Sequence, residues 1–535
     1  MTTSQKLTNK SFGKRQTGFV ATTILGLAVL FSGCFAQAAV LGEDSKAAPA
    51  LERPAVERQI DVDSVVVTKH KTTVNDVDFP YIAETGTQPV WDEQGKPVAT
   101  LFYTYYERSD IKDKSARPLL ISFNGGPGSA SVWMQIAYTG PKALNVDSEG
   151  YPLQPYGTKQ NPFSVLDTAD IVFVNPVNTA YSRVLPGKDG KLMPKDQQQE
   201  MFFGVNQDVK YLAEWINTFV TRHERWPSPK YLIGESYGTT RVSGLALALQ
   251  NQQWMYLNGV VLVSPTELGI KREGPVEAAN RLPYFTATAW YHQQLPADLQ
   301  QQDLPAVLEL AEQFTLNEYL PALAKGAMLT AAERTRITEQ VARFSGLSVA
   351  AVQANNLDIP NDFFWKELLR GKGHTVGRLD SRYLGIDRKS AGVEPDFNAE
   401  LTSWLHSFTP AINHYLRTEL QYKTDVKYNM FGSVHPWDND NDQTGENLRQ
   451  AMAQNPYLHV MVQSGYYDGA TNYFDAKYSL WQLDPSRKMQ NRLSFKGYRS
   501  GHMMYLRAED LQKSNSDLRE FIKATLPKAD QPAKY

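Results

Sequence analysis

Five short, mostly apolar runs punctuate the chain with no alternation of polar and apolar positions. They are Leu119–Phe123, Ile171–Val174, Lys230–Ile233, Gly259–Val263 and His459–Val462. A strand with one wet face alternates. A run without alternation suits a strand covered on both faces, as in a parallel sheet under helices. Helical patterns fall between these runs, clearest in Asn206–Arg222 and Thr239–Leu249. Upstream, from Ile60 to Glu107, β-branched and aromatic runs dominate. Val65–Thr68 and Leu101–Tyr106 read as strands, and Asp92-Glu93-Gln94-Gly95 as a turn. The expectation is an α/β layered fold, its central sheet mostly parallel and its N-terminal edge antiparallel.

From about Gly274 to Tyr428 the strand runs stop. Leu304–Lys325 and Thr330–Phe344 carry helical patterns, the second opening on a Thr330…Glu333 capping box. Sheet patterning resumes after 428. The organisation expected is a core in two parts, 59–273 and 429–535, interrupted by a mostly helical cap insertion over 274–428.

Residues 1–38 read differently. Lys6, Lys10, Lys14 and Arg15 precede a 14-residue apolar or small stretch, Gly18 to Phe31, and Ala36-Gln37-Ala38 is a small-x-small cleavage site. This is a secretory signal, too short for the roughly 20 residues of a membrane span. An alternative is lipidation at Cys34, within Ser32-Gly33-Cys34. Loss of the leader takes four positive charges and no negative ones, so the net charge of −2 becomes −6. Residues 39–58, rich in Ala, Pro and charge, read as a linker. The protein is expected to be exported, to the periplasm or medium, or anchored by lipid at Cys34.

Composition narrows the function classes. Of the 535 residues 42% are hydrophobic and 21% charged, enough apolar surface for a core and not the make-up of a disordered chain. The near-neutral charge supplies no basic field for a nucleic acid. A single cysteine excludes a disulfide scaffold or a zinc finger. Asp438-Asn439-Asp440-Asn441-Asp442 resembles the start of a calcium loop, but Gln443 and Arg449 stand where that loop needs Gly and Glu. No cofactor or metal is called for.

Candidate chemistry centres on Gly234-Glu235-Ser236-Tyr237-Gly238, which follows an apolar run and precedes a helical pattern. That is the setting of a nucleophile elbow, a tight strand-to-helix turn that lifts a serine hydroxyl out of the sheet. A serine needs a base. His502, in Ser500-Gly501-His502-Met503-Met504, is the one histidine after the last apolar run, and Asp468 sits in a turn just past Val462. Asp475 and Asp484 are weaker candidates for the acid. The oxyanion would be held by the backbone amide of Tyr237 and by the loop Asn124-Gly125-Gly126-Pro127-Gly128.

Taken in order, these residues resemble the serine carboxypeptidase family. The resemblance is carried by the Asn124–Gly128 loop, Asn161-Pro162-Phe163-Ser164, Val177–Ser182, Gly234–Gly238, Asp468 with Asn472, and Gly501-His502-Met503, over about residues 80–510. It implies an α/β-hydrolase fold with a helical cap, a free-C-terminus peptide as substrate, and release of single C-terminal amino acids. It also implies roles: Ser236 as nucleophile, His502 as general base and acid, Asp468 as orienting carboxylate, and the amides of Gly126 and Tyr237 as oxyanion hole. Asn124, Gly125 and Glu235 would read the substrate's terminal carboxylate, Glu235 as a neutral acid, since an ionised carboxylate cannot donate.

The chain departs from the family at Ser122 (usually Trp), Ser129 (usually Cys), Asn178 and Ala180 (usually Gly), and Tyr138-Thr139, where an acid usually pairs with the elbow glutamate. Glu235 is therefore expected to ionise more readily than in relatives, with an optimum nearer neutrality. Arg183 and Arg241 are candidates either for the substrate carboxylate or for structural duty. Two alternatives stay open: an esterase or acyltransferase with the same triad, and an inactive binding protein on the scaffold.

Overall fold

Period-two geometry is hidden in the all-apolar runs because both faces of their strands are covered. In the computed structural model, which describes residues 58–528 and 531–535, Leu119, Ile121 and Phe123 join one core cluster, while Leu120 joins the other. The leader, Cys34 and nearly all of the linker lie outside the described residues.

The sheet is built from β1 (Ser64–Val74), β2 (Val77–Trp91), β3 (Pro97–Arg108), β4 (Leu119–Phe123), β5 (Asp170–Val174), β6 (Lys230–Glu235), β7 (Gly259–Val263), β8 (His459–Gly465) and β9 (Leu493–Tyr498). Its order is β1-β2-β3-β5-β4-β6-β7-β8-β9, with the short strand Arg183–Val184 beside β3. β1 to β3 pair antiparallel and β3 meets β5 antiparallel, Tyr103 opposite Val174. From β5 to β9 every pairing is parallel. The edge strand β1 alternates exposed and half-buried positions, whereas every residue of β4 to β7 is buried.

Helices α1 (Val205–Arg222) and α2 (Tyr237–Gln252) cover one face, where Trp215, Ile216, Leu245 and Leu249 pack on Ile121 and Leu232 in one cluster. After β7 the chain runs through α3 (Pro275–Tyr291), α4 (Leu304–Phe314), α5 (Ala331–Ser345) and α6 (Ala399–His414). Thr330 caps α5 through the expected box with Glu333. The first three of these helices share an apolar core of their own, including Leu282, Val307 and Val341. α6 does not join it: Trp404, Phe408 and Ile412 pack with the second face of the sheet. Helices α7 (Thr444–Gln454), α8 (Tyr473–Leu483) and α9 (Ala508–Thr525) complete the layers.

Three strand features differ from the expectation. β9 follows the run taken as the last strand, but as an edge strand that is only half-buried for most of its length, and carrying Lys496 and Gly497, it lacks an apolar signal. β2 is 15 residues long and interrupted by Gly86 and two prolines, Pro80 and Pro89. Within 274–428 a two-stranded ribbon, Thr375–Val376 with Leu384–Gly385, breaks the helical run. Strands of two residues are too short to show a period.

Candidate active site

β6 ends at Glu235, α2 begins at Tyr237, and Ser236 alone makes the turn, at φ 57°, ψ −128°. Its amide donates to Val263 O on β7 at 2.9 Å. A non-glycine residue persists in such a conformation only where its surroundings over-determine it. The flanking positions are glycine for lack of space: a Cβ at Gly234 would lie 2.1 Å from Gly238 O. The turn puts Ser236 at the N-terminus of a 16-residue helix, where developing negative charge is favoured.

Asp468 follows β8 in a turn and is wholly buried. Its Oδ1 accepts from the amides of Ala470 at 2.9 Å and Thr471 at 3.1 Å. Its Oδ2 accepts from Thr471 Oγ1 and from His502 Nδ1, both at 2.7 Å. His502 Nδ1 is thereby fixed as the protonated nitrogen, leaving Nε2 as the basic one. Burial works to lower the His502 pKa, but the Asp468 charge and hydrogen bond outweigh it, Glu235 adds to them, and the net direction is upward. Asp475 bonds Asn280 and Asn472, and Asp484 bonds Ser486 and Met489 N, so neither supports the histidine.

Ser236 and His502 line one cavity of about 780 Å³. Among the described residues neither Ser236 Oγ nor His502 Nε2 has a protein hydrogen-bond partner. Such bonds commonly tighten only with substrate bound. Gly125 and Gly126 run past the elbow so closely that a Cβ at Gly125 would sit 2.4 Å from Tyr237 N and 2.7 Å from Glu235 O. Gly126 holds φ at +107°. The amides of Gly126 and Tyr237 make no backbone hydrogen bond among the described residues, so both are free to donate. Gly125→Ala is expected to slow covalent labelling of Ser236 by a fluorophosphonate about a hundredfold, the scale of losing one oxyanion donor. An unchanged labelling rate in the folded variant would contradict this.

Glu235 is buried under Ser236, yet one edge reaches the cavity. Oε1 accepts from Asn124 Nδ2 at 3.0 Å and Oε2 from the Tyr505 hydroxyl. Burial dominates and pushes the Glu235 pKa up to about 7, although His502, Tyr505 and Asn124 each act to lower it. Burial thus moves the Glu235 carboxyl toward neutrality, with no second acid beside it among the residues that contact it. Tyr138 stacks on Tyr505, centroids 4.7 Å apart at 9°, and donates to Gln463 Oε1 at 2.6 Å. A ring pair thus braces the hydroxyl on which Glu235 rests.

Asn124 does not itself line the cavity. Its amide faces Glu235 and its Oδ1 accepts from Met134 N at 3.1 Å, so it acts from behind the glutamate. The arginine candidates for the carboxylate are not brought there. Arg241 pairs with Asp208 at 2.6 Å and donates to Asn124 O and Pro127 O, propping the oxyanion loop from below. Arg183 spends its donors on the carbonyls of Ala180, Ser182 and Lys427. Thr471, Tyr505 and the cavity arginine Arg378 went unnoticed in the sequence. Only Tyr505, three residues after His502, had a positional hint.

A family model for serine carboxypeptidases matches residues 90–505. Serine carboxypeptidase-like 36 of Arabidopsis thaliana is 30% identical over 179 residues, 32% of this chain and 33% of the relative. Pheromone-processing carboxypeptidase KEX1 of Saccharomyces cerevisiae is 25% identical over 161 residues, 30% of this chain and 21% of the relative. The match spans about a third of the length of the first curated relatives. Among solved structures, a prohormone-processing carboxypeptidase of S. cerevisiae aligns over 85% of this chain and 93% of its own, with TM-score 0.49 and 14% identity.

Proposed function

The chain belongs to the serine carboxypeptidase family, and from that premise we propose that it releases single amino acids from the C-termini of peptides through an acyl-enzyme on Ser236. His502 Nε2 takes the Ser236 proton as Oγ attacks the scissile carbonyl carbon. The negative oxygen of the tetrahedral intermediate lies on the amides of Gly126 and Tyr237. His502 then passes its proton to the leaving amine. A water, activated by the same nitrogen, hydrolyses the ester and restores Ser236.

The observation that carries the peptidase reading is the buried, immobilised Glu235 carboxyl beside the nucleophile, whose pKa burial raises to about 7. A neutral carboxyl can donate a hydrogen bond to a substrate carboxylate, and Asn124 and Tyr505 fix its two oxygens. Gly125 lines the same side of the cavity. An esterase or acyltransferase using the same triad is the second reading, favoured by Ser122 and by Tyr138 in place of an acid.

Paired peptides, free acid and C-terminal amide, separate the two across pH. Below the raised His502 pKa, kcat/KM falls for both substrates, because the base is protonated. Above about 7, Glu235 ionises, loses its donor and repels the terminal carboxylate. KM for the free acid is then expected to climb about tenfold per pH unit, and KM for the amide to stay flat. Equal turnover of acid and amide at every pH would refute terminal-carboxylate recognition. The leader pattern supports export, to the periplasm or medium or to a membrane through Cys34. Among the described residues no helix is long and apolar enough to cross a membrane.

A further inference from the structure

One segment of the insertion between β7 and β8 bonds to the backbone of both triad loops. The ribbon strands Thr375–Val376 and Leu384–Gly385 hold up the loop between them, closed by Gly377 N to Tyr383 O at 2.9 Å. Arg378 O accepts from Gly469 N at 2.9 Å, next to Asp468, and Leu379 O accepts from the His502 amide at 2.7 Å. Ser381 N donates to Tyr467 O at 2.9 Å, and Glu400 Oε1 on α6 accepts from Leu379 N at 2.8 Å. Asp380 and Arg382 form a buried ion pair at 2.6 Å within the loop. The backbone of Arg378–Leu379 is thus tied to both triad loops, Arg378 to that of Asp468 and Leu379 to that of His502.

The Arg378 side chain is uncommitted among the described residues. Three arginines line the cavity. Arg272 has Glu267 at 3.6 Å and Asp475 at 3.7 Å, and Arg281 has Glu277 at 2.5 Å and Asp358 at 3.2 Å. Arg378 is exposed and has no ion pair or side-chain hydrogen bond among the described residues. Its charge is felt at the imidazole, where it opposes protonation of His502. A guanidinium near the reacting centre, on an anchored backbone, is a ready fork for a planar carboxylate. A substrate that fills the cavity strips water from it, which strengthens any pairing made there and penalises a substrate that offers none.

We propose that Arg378 binds a carboxylate of the substrate, so that this enzyme favours peptides carrying Asp or Glu beside the scissile bond. The inference rests on the peptidase reading. Glu235, held from behind by Asn124, already serves the terminal carboxylate in that reading, which leaves an acidic side chain as the natural partner for Arg378. The substrate's own terminus is the other source of the same chemistry.

Peptides differing only by Glu or Gln, at the last or the penultimate position, each as free acid and amide, separate the sources. The expected result for Arg378→Gln is a loss in kcat/KM of about tenfold for Glu peptides relative to their Gln twins, at one of the two positions. Arg378→Lys should recover part of it, keeping the charge without the fork. A loss confined to free acids, with no Glu–Gln difference, would give Arg378 the terminal carboxylate and still uphold carboxylate binding. A uniform loss across all peptides, or none, overturns the proposal. Calorimetric titration of the same peptides onto Ser236→Ala reads binding without turnover. An Arg378-dependent preference for Glu there, with no amino acid released by the native enzyme, would sink the peptidase reading and leave Arg378 standing.

Discussion

Replacing Ser236 by alanine is expected to lower kcat by about 10⁵- to 10⁶-fold while leaving KM within a few fold of native. The reasoning is geometric. Ser236 is the strained turn residue, with φ 57°, and alanine keeps the backbone and the neighbouring amides while removing the one oxygen that can form the ester. What survives is the stabilisation of an oxyanion raised by water, through Gly126 and Tyr237, plus substrate positioning. Steady-state assay with a free-acid peptide, alongside loss of fluorophosphonate labelling, checks it. A variant retaining a tenth of native kcat would move the nucleophile elsewhere and end the acyl-enzyme account.

Asp468→Asn is expected to cost about 10⁴-fold in kcat. Every group around the Asp468 carboxylate is a donor: two backbone amides on Oδ1, the Thr471 hydroxyl and His502 Nδ1 on Oδ2. An asparagine keeps its oxygen toward the two amides, because its own NH₂ would clash with them. The NH₂ then faces His502 and donates to Nδ1. That forces the proton onto Nε2, the nitrogen that must accept the Ser236 proton, so the base is held in the wrong tautomer. Circular dichroism matching the native spectrum, with kcat collapsed, is the expected pair of results. Activity within tenfold of native would mean that His502 is oriented by something other than Asp468.

How much of this was legible depends on how local each signal is. β4, β5 and β7 were readable because burial on both faces writes a mostly apolar, non-alternating run into four or five adjacent residues, and the α5 cap because Thr330 and Glu333 sit three apart. The elbow was readable because close approach of β6 to α2 demands glycine at 234, and close approach of α2 to the end of β4 at Phe123 O demands it at 238. β9 was not, since a half-buried edge needs no apolar pattern. Tyr505 was out of reach for a different reason. It looks like an ordinary aromatic in sequence, and only the fold brings its hydroxyl to Glu235 and its ring onto Tyr138, 367 positions away. Thr471 was in plain view beside Asp468, but a hydroxyl near an acid is too common to signal anything alone. Arg378 lies in a stretch of short ribbon and loop whose place against His502 is set by tertiary contacts alone.

The tether between Arg378–Leu379 and the two triad loops carries a kinetic consequence. In enzymes whose roof swings away to let products go, the roof and the machinery beneath it are separate parts, and opening costs the machinery nothing. Here that segment shares backbone hydrogen bonds with the histidine and with the turn that holds its aspartate, so lifting it would break contacts on both loops that carry the proton relay. Substrate entry and product exit are then expected to run past a stationary Arg378–Leu379 lintel rather than beneath a swinging one.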